Sequence, residues 1–286
     1  MLLQRGLFIL CLINFYVFVI FVGLITDSYH PYLNVYYQFT NKSILIEQTL
    51  QRIPTCTSDD RTRQRTLLHT LQAWKHFAQQ NHIRYWIAYG TLLGYIQHRA
   101  ILSHDSNIDL FIMAQDTSQL LQLSQFNFSS NYKLKVHPQW YLVEQIKRSY
   151  FHSEGIDFLA PNARFINIDK NLYLNIWPIY DYHPNKSRIE KNSKSTLTAY
   201  DTNYQWRSSP REWTFPLREC EFSGMKVWCP AEAEKLVADI YGNIGVNMSS
   251  IACVNGSWVE SVKYRSAKTA VKIKDESTTN KKSTIT

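Results

Sequence analysis

The sequence has no Cys-x-x-Cys pair and no histidine close to any of its five cysteines, which excludes a zinc module built on closely spaced ligands. Cys11 lies in an apolar segment, which leaves Cys56, Cys220, Cys229 and Cys253. Four cysteines permit three pairings, and Cys220 with Cys229 is the pairing that closes a short loop. Structural disulfides are therefore the preferred interpretation, and they imply an oxidising compartment.

A basic helix interleaved with aromatic residues is also missing, although the formal net charge is +8. Residues 263–286 hold seven Lys and Arg and two acids, so this segment alone carries +5. Its Ser/Thr/Lys-rich composition is typical of a disordered tail. Because the remaining 262 residues carry only +3, we predict no nucleic-acid partner.

Only one apolar run is long enough to cross a bilayer as a helix: residues 6–25, 20 residues with Asn14 as the mild exception. Arg5 precedes this run, and the next Lys or Arg after it is Lys42. The positive-inside rule then leaves the N-terminus in the cytosol and sends the rest of the chain to the lumen. No clean small-x-small cleavage site follows, so we prefer an uncleaved signal anchor to the alternative, a cleaved signal peptide.

The predicted organisation is a single-pass type II membrane protein with one lumenal domain. Five glycosylation sequons agree with a lumenal glycoprotein: Asn41, Asn127, Asn185, Asn247 and Asn255. The predicted segments are a cytosolic N-terminus (1–5), the anchor (6–25), a stem (26–55), the lumenal domain (56–262) and the basic tail (263–286).

Hydrophobic periodicity predicts an α+β domain. A helix begins at Asp59 or Asp60, and further helices are expected at 91–97, 116–123 and 231–241. The apolar stripe of the first helix is Leu67, Leu68, Leu71, Trp74 and Phe77. Strands are expected at 84–89, 108–113, 132–137, 140–147, 163–168 and 172–179, and residues 183–211 read as a polar surface excursion.

Residues 90–110, GTLLGYIQHRAILSHDSNIDL, carry the clearest chemical signal. Gly90 lets backbone approach a phosphate, and the helix that follows offers unpaired N–H groups to it. Acids at alternate positions of a strand lie about 6.6 Å apart on one face, where a divalent cation can bridge them to a diphosphate or triphosphate. This order predicts a polymerase-type nucleotidyltransferase site, with Asn107 in the middle acid position.

The same segment resembles the LicD/fukutin/fukutin-related family, whose usual string is GTLLGxxRHxxxIPWDxDxD, and it aligns without a gap. Similar strings follow at 160–165, 172–180, 215–222 and 240–242, so the resemblance covers about residues 60 to 245. It implies a nucleotidyltransferase-like mixed sheet with flanking helices. With the anchor, the expected fold is this α+β domain preceded by one N-terminal transmembrane helix.

The resemblance further implies transfer of a phospho-alditol or phosphocholine group from a CDP-linked donor to a glycan hydroxyl on a lumenal glycoprotein. The acceptor oxygen attacks the distal phosphorus and CMP leaves, so basic groups and metal-held carboxylates must neutralise the bridging oxygen. The expected cofactor is Mg²⁺ or Mn²⁺.

Carried over position by position, the family's metal ligands fall on Asn107, Asp109 and Asn175, of which only Asp109 keeps a charge. Asp105 and Asp109 are the candidate catalytic acids. If the segment were extended, Asp105 would lie about 13 Å from Asp109, so it can join the site only if residues 103–106 turn.

Five residues are expected to bind the donor: Gly90, Thr91, His98, Arg99 and Arg164. Gln97 stands where the family usually has an Arg, and Arg99 can replace that Arg only if the loop bends. A structural role stays open for three of the five: Thr91 as an ordinary first-turn residue, His98 as a helix-end residue bonded to a carbonyl, and Arg164 as the partner of a surface acid.

Two interpretations remain. One is an active metal-dependent transferase of the Golgi or endoplasmic reticulum membrane. The other is a degenerate family member that binds a glycan or nucleotide, or forms a complex with active paralogues. Asn107, Asn175 and Gln97 favour the second, whereas the intact glycine turn and Asp109 favour the first. A glycosyltransferase using a nucleotide-sugar is weaker, because only about 50 residues separate Cys56 from Asp105.

Overall fold

The structure is a computed structural model, and it describes residues 44–126, 129–143, 147, 151–153, 156–158, 161–181, 196–200 and 205–266. The predicted anchor, residues 6–25, lies outside these ranges. Within them, no helix combines the length and the apolar character that a membrane crossing requires. Of the five sequons, Asn247 and Asn255 are described, and both are exposed.

The helices are α1 (44–52), α2 (Asp60–Gln80), α3 (Tyr89–His98), α4 (Thr117–Leu123), α5 (Arg211–Thr214), α6 (Ala233–Asn247) and α7 (262–266), with a 3-10 turn at Ala114–Asp116. The strands are β1 (Trp86–Ile87), β2 (Ile108–Met113), β3 (Tyr132–Val136), β4 (Phe151–Ser153), β5 (Ile156–Phe158), β6 (Ala163–Asn167), β7 (Leu172–Ile179), β8 (Thr196–Tyr200), β9 (Trp206–Pro210), β10 (Arg218–Phe222), β11 (Met225–Cys229), β12 (Ile251–Val254) and β13 (Ser257–Glu260). The expected α+β class with a mixed sheet and helices is confirmed.

The central sheet has five strands in the order β1-β2-β7-β6-β3, and β2 and β7 run parallel while the other pairs are antiparallel. The register pairs Asp109 of β2 with Asn175 of β7, and Asn175 in turn with Arg164 of β6. Three residues that are far apart in sequence therefore form one row across three neighbouring strands. This row is the base of the site described below.

The two faces of the sheet have separate hydrophobic clusters, because successive strand residues point to opposite faces. Ile108, Leu110 and Ile112 of β2 belong to the main core, whereas Phe111 and Met113 belong to a second cluster. Asp109 alternates with the main-core residues and so lies on the face of the second cluster. The second cluster is completed by residues from β1, α3, β7 and β8: Trp86, Ala88, Tyr89, Ile179, Leu197 and Ala199.

Helix α2 covers the main core with the predicted apolar stripe. Leu67, Leu68, Leu71 and Trp74 are 0% exposed, and Trp74 makes an edge contact with Phe165 of β6 at 5.4 Å. Burial of side chains of this size contributes roughly 1.5–3 kcal/mol each. The predicted helix and its buried face are confirmed.

The end of the predicted stem also packs on this domain. Residues 44–52 are helical, and Ile46, Leu50 and Ile53 are buried in the main core. Arg65 of α2 forms an ion pair with Glu47 at 2.7 Å.

Several predicted elements need correction. The strand expected at 84–89 covers only Trp86–Ile87, because Tyr89 adopts a positive φ of 42° and begins α3. The strand expected at 140–147 is wrong at its start, since the Trp140 N–H donates to the His137 carbonyl at 3.0 Å and closes a turn.

The polar stretch 183–211 contains the hairpin β8–β9, with Leu197 1% exposed. Helix α6 continues past Gly242, which forms a kink with φ 73° and ψ 166°.

Two disulfides are present. Cys220–Cys229 joins the paired strands β10 and β11, which confirms the short-loop pairing. Cys56–Cys253 joins the segment before α2 to β12 across 197 residues of sequence. Closing so long a loop removes much conformational entropy from the unfolded chain, so the second bond is the more important for stability.

Candidate active site

The N-terminus of α3 is built by a sharp change of backbone direction after β1. Ala88 is extended and donates its N–H to the Asp109 carbonyl at 2.9 Å, and Tyr89 then takes its positive φ. The Tyr89 hydroxyl donates to the Tyr200 carbonyl, and its ring lies 4.8 Å from that of Phe111. These contacts hold a conformation that is uncommon for a bulky residue. The first turn of α3 is thereby placed against β2.

Gly90 lies directly beside the side chain of Asp105. A Cβ atom at position 90 would stand 3.8 Å from Asp105 Oδ1 and 3.9 Å from Oδ2, an ordinary contact. The Asp105 carboxylate therefore sits at the N-terminal end of α3, where the helix dipole favours negative charge. Thr91, one residue on, accepts a hydrogen bond at its Oγ1 from the Asp109 N–H at 2.8 Å.

Asp109 is the centre of a dense hydrogen-bond network. Its Oδ1 accepts from Asn107 Nδ2 at 3.1 Å, Asn175 Nδ2 at 3.1 Å and Trp177 Nε1 at 2.9 Å. Arg164 Nε donates to Asn175 Oδ1 at 3.0 Å, which fixes the amide of Asn175 with its NH₂ group toward Asp109. The two asparagines thus act here as N–H donors to the carboxylate.

The electrostatics of Asp109 follow from this network. Burial raises the pKa of Asp109, while the bonds from Trp177 and Asn175 and the charge of Arg164 oppose that rise. Charge-assisted bonds of this kind stabilise a carboxylate in a partly buried position. Burial has the larger effect, so the pKa of Asp109 lies above its usual value. The three donors to Oδ1 fix the orientation of the carboxyl group and engage one of its two oxygens.

Asp105 lies in a turn, so the turned alternative for residues 103–106 is the one that the structure adopts, and the extended one is wrong. The Asp105 N–H donates to the Leu102 carbonyl at 3.1 Å, and β2 begins only at Ile108. Residues 102–107, the Asp105 turn, therefore bring this carboxylate back toward Asp109. Burial, followed by the charge of Asp109, raises the pKa of Asp105 to about 8. Asp105 Oδ2 is buried and has no hydrogen-bond partner in the described part of the chain.

The side chain of Tyr241, on α6, is electrostatically coupled to these two carboxylates. Burial raises the pKa of Tyr241, and the charges of Asp109 and Asp105 add to that rise. Sequence reasoning did not assign Tyr241 to the site. The signal available was its place in the family-like block at 240–242.

The structure brings together most of the predicted site residues. Gly90, Thr91, Asp105, Asn107, Asp109, Asn175 and Arg164 are joined by the contacts above. His98 and Arg99 lie at the other end of α3, about 12 Å along the helix from Gly90. The Arg99 guanidinium stacks over the Tyr95 ring at 4.3 Å. A role of His98 and Arg99 in donor binding stays a prediction.

Gln97 is directed away from the carboxylates. Its Nε2 donates to the Gly245 carbonyl at 2.6 Å and more weakly to that of Met248 at 3.4 Å. Gly245 belongs to the part of α6 that follows the kink, and Met248 comes directly after α6, so Gln97 ties α3 to the end of α6.

The side chains fit one hard cation of modest affinity. In the described ranges no group of three or more His, Cys, Asp and Glu residues converges on a common point. Asp105 and Asp109 remain, and Asp105 Oδ2 is a buried oxygen without a partner there. Mg²⁺ is commonly held by one or two carboxylates together with water and substrate phosphates. Such an ion suits this pair better than a metal that needs a full protein cage.

The protein has a mixed sheet, a glycine turn followed by a helix, and acids at the start of the next strand. Together these features define a nucleotidyltransferase-type domain. The sequence model described as "LicD/FKTN/FKRP, nucleotidyltransferase domain" matches residues 82–232. The chain belongs to this family, as a divergent member, and the family places it among phosphotransferase-like proteins.

Two bacterial proteins are similar to part of the chain. "Uncharacterized protein RP689" of Rickettsia prowazekii (strain Madrid E) is 36% identical over 153 residues, which are 54% of this chain and 45% of that protein. "Uncharacterized protein RT0683" of Rickettsia typhi (strain ATCC VR-144 / Wilmington) is 31% identical over 110 residues, 37% of this chain and 29% of that protein. The matched region thus spans less than half the length of either relative.

Proposed function

We propose that the protein is a metal-dependent phosphotransferase in which Asp105 and Asp109 hold one Mg²⁺ or Mn²⁺ against the phosphates of a CDP-linked donor. The observation that carries the proposal is the buried Asp105 Oδ2, which has no partner among the described residues and lies beside Gly90. A buried polar oxygen is costly unless a partner compensates it, and the raised pKa of Asp105 shows that its charged form is disfavoured in the metal-free protein. A cation shared with Asp109 would supply that compensation.

The surrounding residues favour binding of a diphosphate. The first turn of α3 presents backbone N–H groups and the positive end of the helix dipole beside Gly90. The Arg164 charge is held near Asp109 through Asn175. When bound, the cation would polarise a phosphoryl oxygen and stabilise the charge that develops on the leaving phosphate. Asp109 keeps its orientation throughout, because the sheet register and three N–H donors fix it.

The donor class and the setting follow the family. We propose a phospho-alditol or phosphocholine group as the transferred unit and a glycan of a lumenal glycoprotein as acceptor. Two disulfides and the exposed sequons at Asn247 and Asn255 support an oxidising compartment, the lumen of the Golgi or endoplasmic reticulum. In this proposal residues 6–25 anchor the protein as a type II membrane protein.

A specific observation favours a second candidate, a family member without turnover. Asn107 and Asn175 direct their NH₂ groups to Asp109, so amide dipoles stand where the positive charge of a cation is expected. Such a protein would bind a glycan or nucleotide, or form a complex with an active paralogue.

Calorimetric titration of the purified full-length protein in detergent separates the two candidates. CDP is titrated with and without Mg²⁺ or Mn²⁺. The first candidate predicts that either metal tightens CDP binding at least about tenfold, because the phosphates complete the coordination of the ion. In folded protein, CDP binding of equal strength with and without metal, or no CDP binding at all, would refute the first candidate and favour the second.

A further inference from the structure

Arg63 of α2 holds the Asp105 turn from outside the sheet. Its Nε donates to the Asp105 carbonyl at 2.9 Å, and its Nη2 donates to the Ser103 carbonyl at 3.0 Å. Gln64, the next residue, adds a bond from its Nε2 to the same Ser103 carbonyl at 3.1 Å. These bonds go to backbone carbonyls, so the Asp105 carboxylate itself stays available.

Arg63 is in turn fixed by Asp60, which is 0% exposed. The two side chains form an ion pair at 2.7 Å. Asp60 Oδ2 also accepts from the Cys56 N–H at 2.6 Å and the Thr57 N–H at 2.9 Å. Burial alone would raise the pKa of Asp60, but these bonds and Arg63 hold it well below its usual range. Asp60 is therefore an anion at neutral pH and a firm anchor for Arg63.

The C-terminal hairpin β12–β13 completes this arrangement. Trp258 Nε1 donates to Asp60 Oδ2 at 3.0 Å. Cys253 pairs directly with Trp258 across the hairpin and is bonded to Cys56. The Trp258 ring also lies 5.9 Å from that of His104, inside the Asp105 turn. All of these partners except His104 lie outside the family-matched residues 82–232.

We propose that Arg63 is a positioning residue for Asp105, and that Asp60, Trp258 and the Cys56–Cys253 disulfide keep Arg63 in place. The brace consists of Asp60, Arg63, Trp258 and this disulfide. Its effect on cation binding rests on the proposed function, whereas its effect on the backbone of the turn does not. Asp105, the second acid of the proposed metal site, lies within the family-matched residues 82–232. The residues that hold it in position come from segments before and after that range.

The test measures two quantities in the full chain. Hydrogen exchange of the amides of residues 103–107 is followed in metal-free protein, and Mn²⁺ binding is followed by electron paramagnetic resonance in the presence of CDP. For Arg63→Gln we expect exchange in the turn to rise about tenfold, with that of β2 unchanged, because local opening loses two carbonyl bonds. Mn²⁺ affinity should fall about tenfold, because a carboxylate out of position binds poorly.

Arg65→Gln is the matched control. Arg65 lies on the same helix and its ion pair with Glu47 is exposed, so both quantities should keep their wild-type values. Arg63→Lys keeps the charge beside Asp60 and can donate a hydrogen bond to one of the two carbonyls. Its exchange rate in the turn and its Mn²⁺ affinity should therefore lie between those of Arg63→Gln and the wild type. If Arg63→Gln does not fold, Trp258→Phe replaces it, since this variant keeps the ring but loses the bond to Asp60 and should raise exchange in the turn about threefold.

The outcomes separate the brace from the proposed function. Wild-type exchange in the turn of folded Arg63→Gln or Trp258→Phe would overturn the brace. Unchanged Mn²⁺ affinity in Arg63→Gln, where Asp105→Asn loses it, would overturn the positioning role and leave the proposed function standing. If the wild type does not bind Mn²⁺ but Arg63→Gln exchanges faster in the turn than the wild type does, the brace is supported and the proposed function is refuted.

Discussion

The two carboxylates of the site belong to regions that are built in different ways. Asp109 lies in β2, where the register with β7 and β6 and three N–H donors to Oδ1 fix its position. Asp105 lies in a turn whose backbone is held by Arg63 and whose Oδ2 has no partner in the described residues. The strand side therefore supplies rigidity, and the turn side supplies the oxygen that is still able to take a ligand.

This division explains how a site can lose acids without losing its shape. The asparagines on the strand side replace charge by hydrogen bonds that hold Asp109 and reach Arg164. The turn side has no such substitute. Burial and the charge of Asp109 raise the pKa of Asp105 to about 8. The four predictions below test whether the two sides differ as described.

The largest effect is expected for Asp105→Asn. The change removes the carboxylate that carries the unpartnered oxygen, so metal-dependent binding of CDP should weaken at least about 100-fold. Calorimetric titration with Mn²⁺ measures it. Asp169→Asn, a change of an exposed turn residue, is the control and should bind as the wild type does. A near-normal affinity in Asp105→Asn would show that the turn side holds no ligand.

Asp109→Ala should damage the fold as well as the site. It leaves the N–H groups of Asn107, Asn175 and Trp177 without their acceptor, so we expect a loss of about 2–3 kcal/mol in the free energy of unfolding. It should also abolish any turnover. Urea denaturation of Asp109→Ala and Asp105→Asn side by side checks the contrast. Equal destabilisation by the two changes would contradict the division into two sides.

The pH dependence of stability should contain a contribution from Asp105 on the turn side. Because the pKa of Asp105 is raised to about 8 in the folded protein, the folded state binds more protons than the unfolded state between about pH 4 and 8. The contribution of Asp105 is therefore fully present below pH 4 and is lost as the pH rises to 8. After allowance for solvent screening, we expect a fall of about 2 kcal/mol in metal-free protein. Asp105→Asn should reduce this slope in urea denaturation without removing it, because burial also raises the pKa of Asp109. A wild-type slope in that variant would exclude Asp105 as a source.

The smallest effect is expected for Asn107→Asp. A third carboxylate beside Asp109 adds anionic oxygen, so Mn²⁺ affinity should rise about tenfold. In metal-free protein the same change should reduce stability, because like charges repel at short range. Electron paramagnetic resonance and thermal unfolding measure the two effects. A rise in metal-free stability would mean that position 107 does not face the carboxylate pair.

Local patterns predicted the framework of the fold well. The strands at 108–113 and 172–179 and the apolar stripe of α2 agree with the structure, since each is a continuous signal within a few residues. The hairpin β8–β9 was missed because each strand is only five residues long and has few apolar residues within a polar stretch. The turn at His137–Trp140 was missed because the aromatic residues after it have high strand propensity.

The site was predictable only in part, and for a physical reason. The family pattern gave Asp109, Asn107 and Asn175, but the position of Asp105 depends on Arg63, which lies 42 residues earlier in the chain. No hydrophobic periodicity within residues 90–110 decides whether the backbone at residues 103–106 is extended or turned. The charges of both acids likewise influence Tyr241 because α6 packs next to α3, which a single sequence does not specify.

The Cys56–Cys253 bond gives the domain a mechanical property. The Cα atoms of the two cysteines are 5.5 Å apart, although 197 residues separate them in sequence. Tension applied to the chain before residue 56 and after residue 253 would therefore pass through the sulfur–sulfur bond. Once the contacts of α1 with the main core had separated, the central sheet and both carboxylates, which lie inside the covalent ring, would be shielded from that load while the bond is intact.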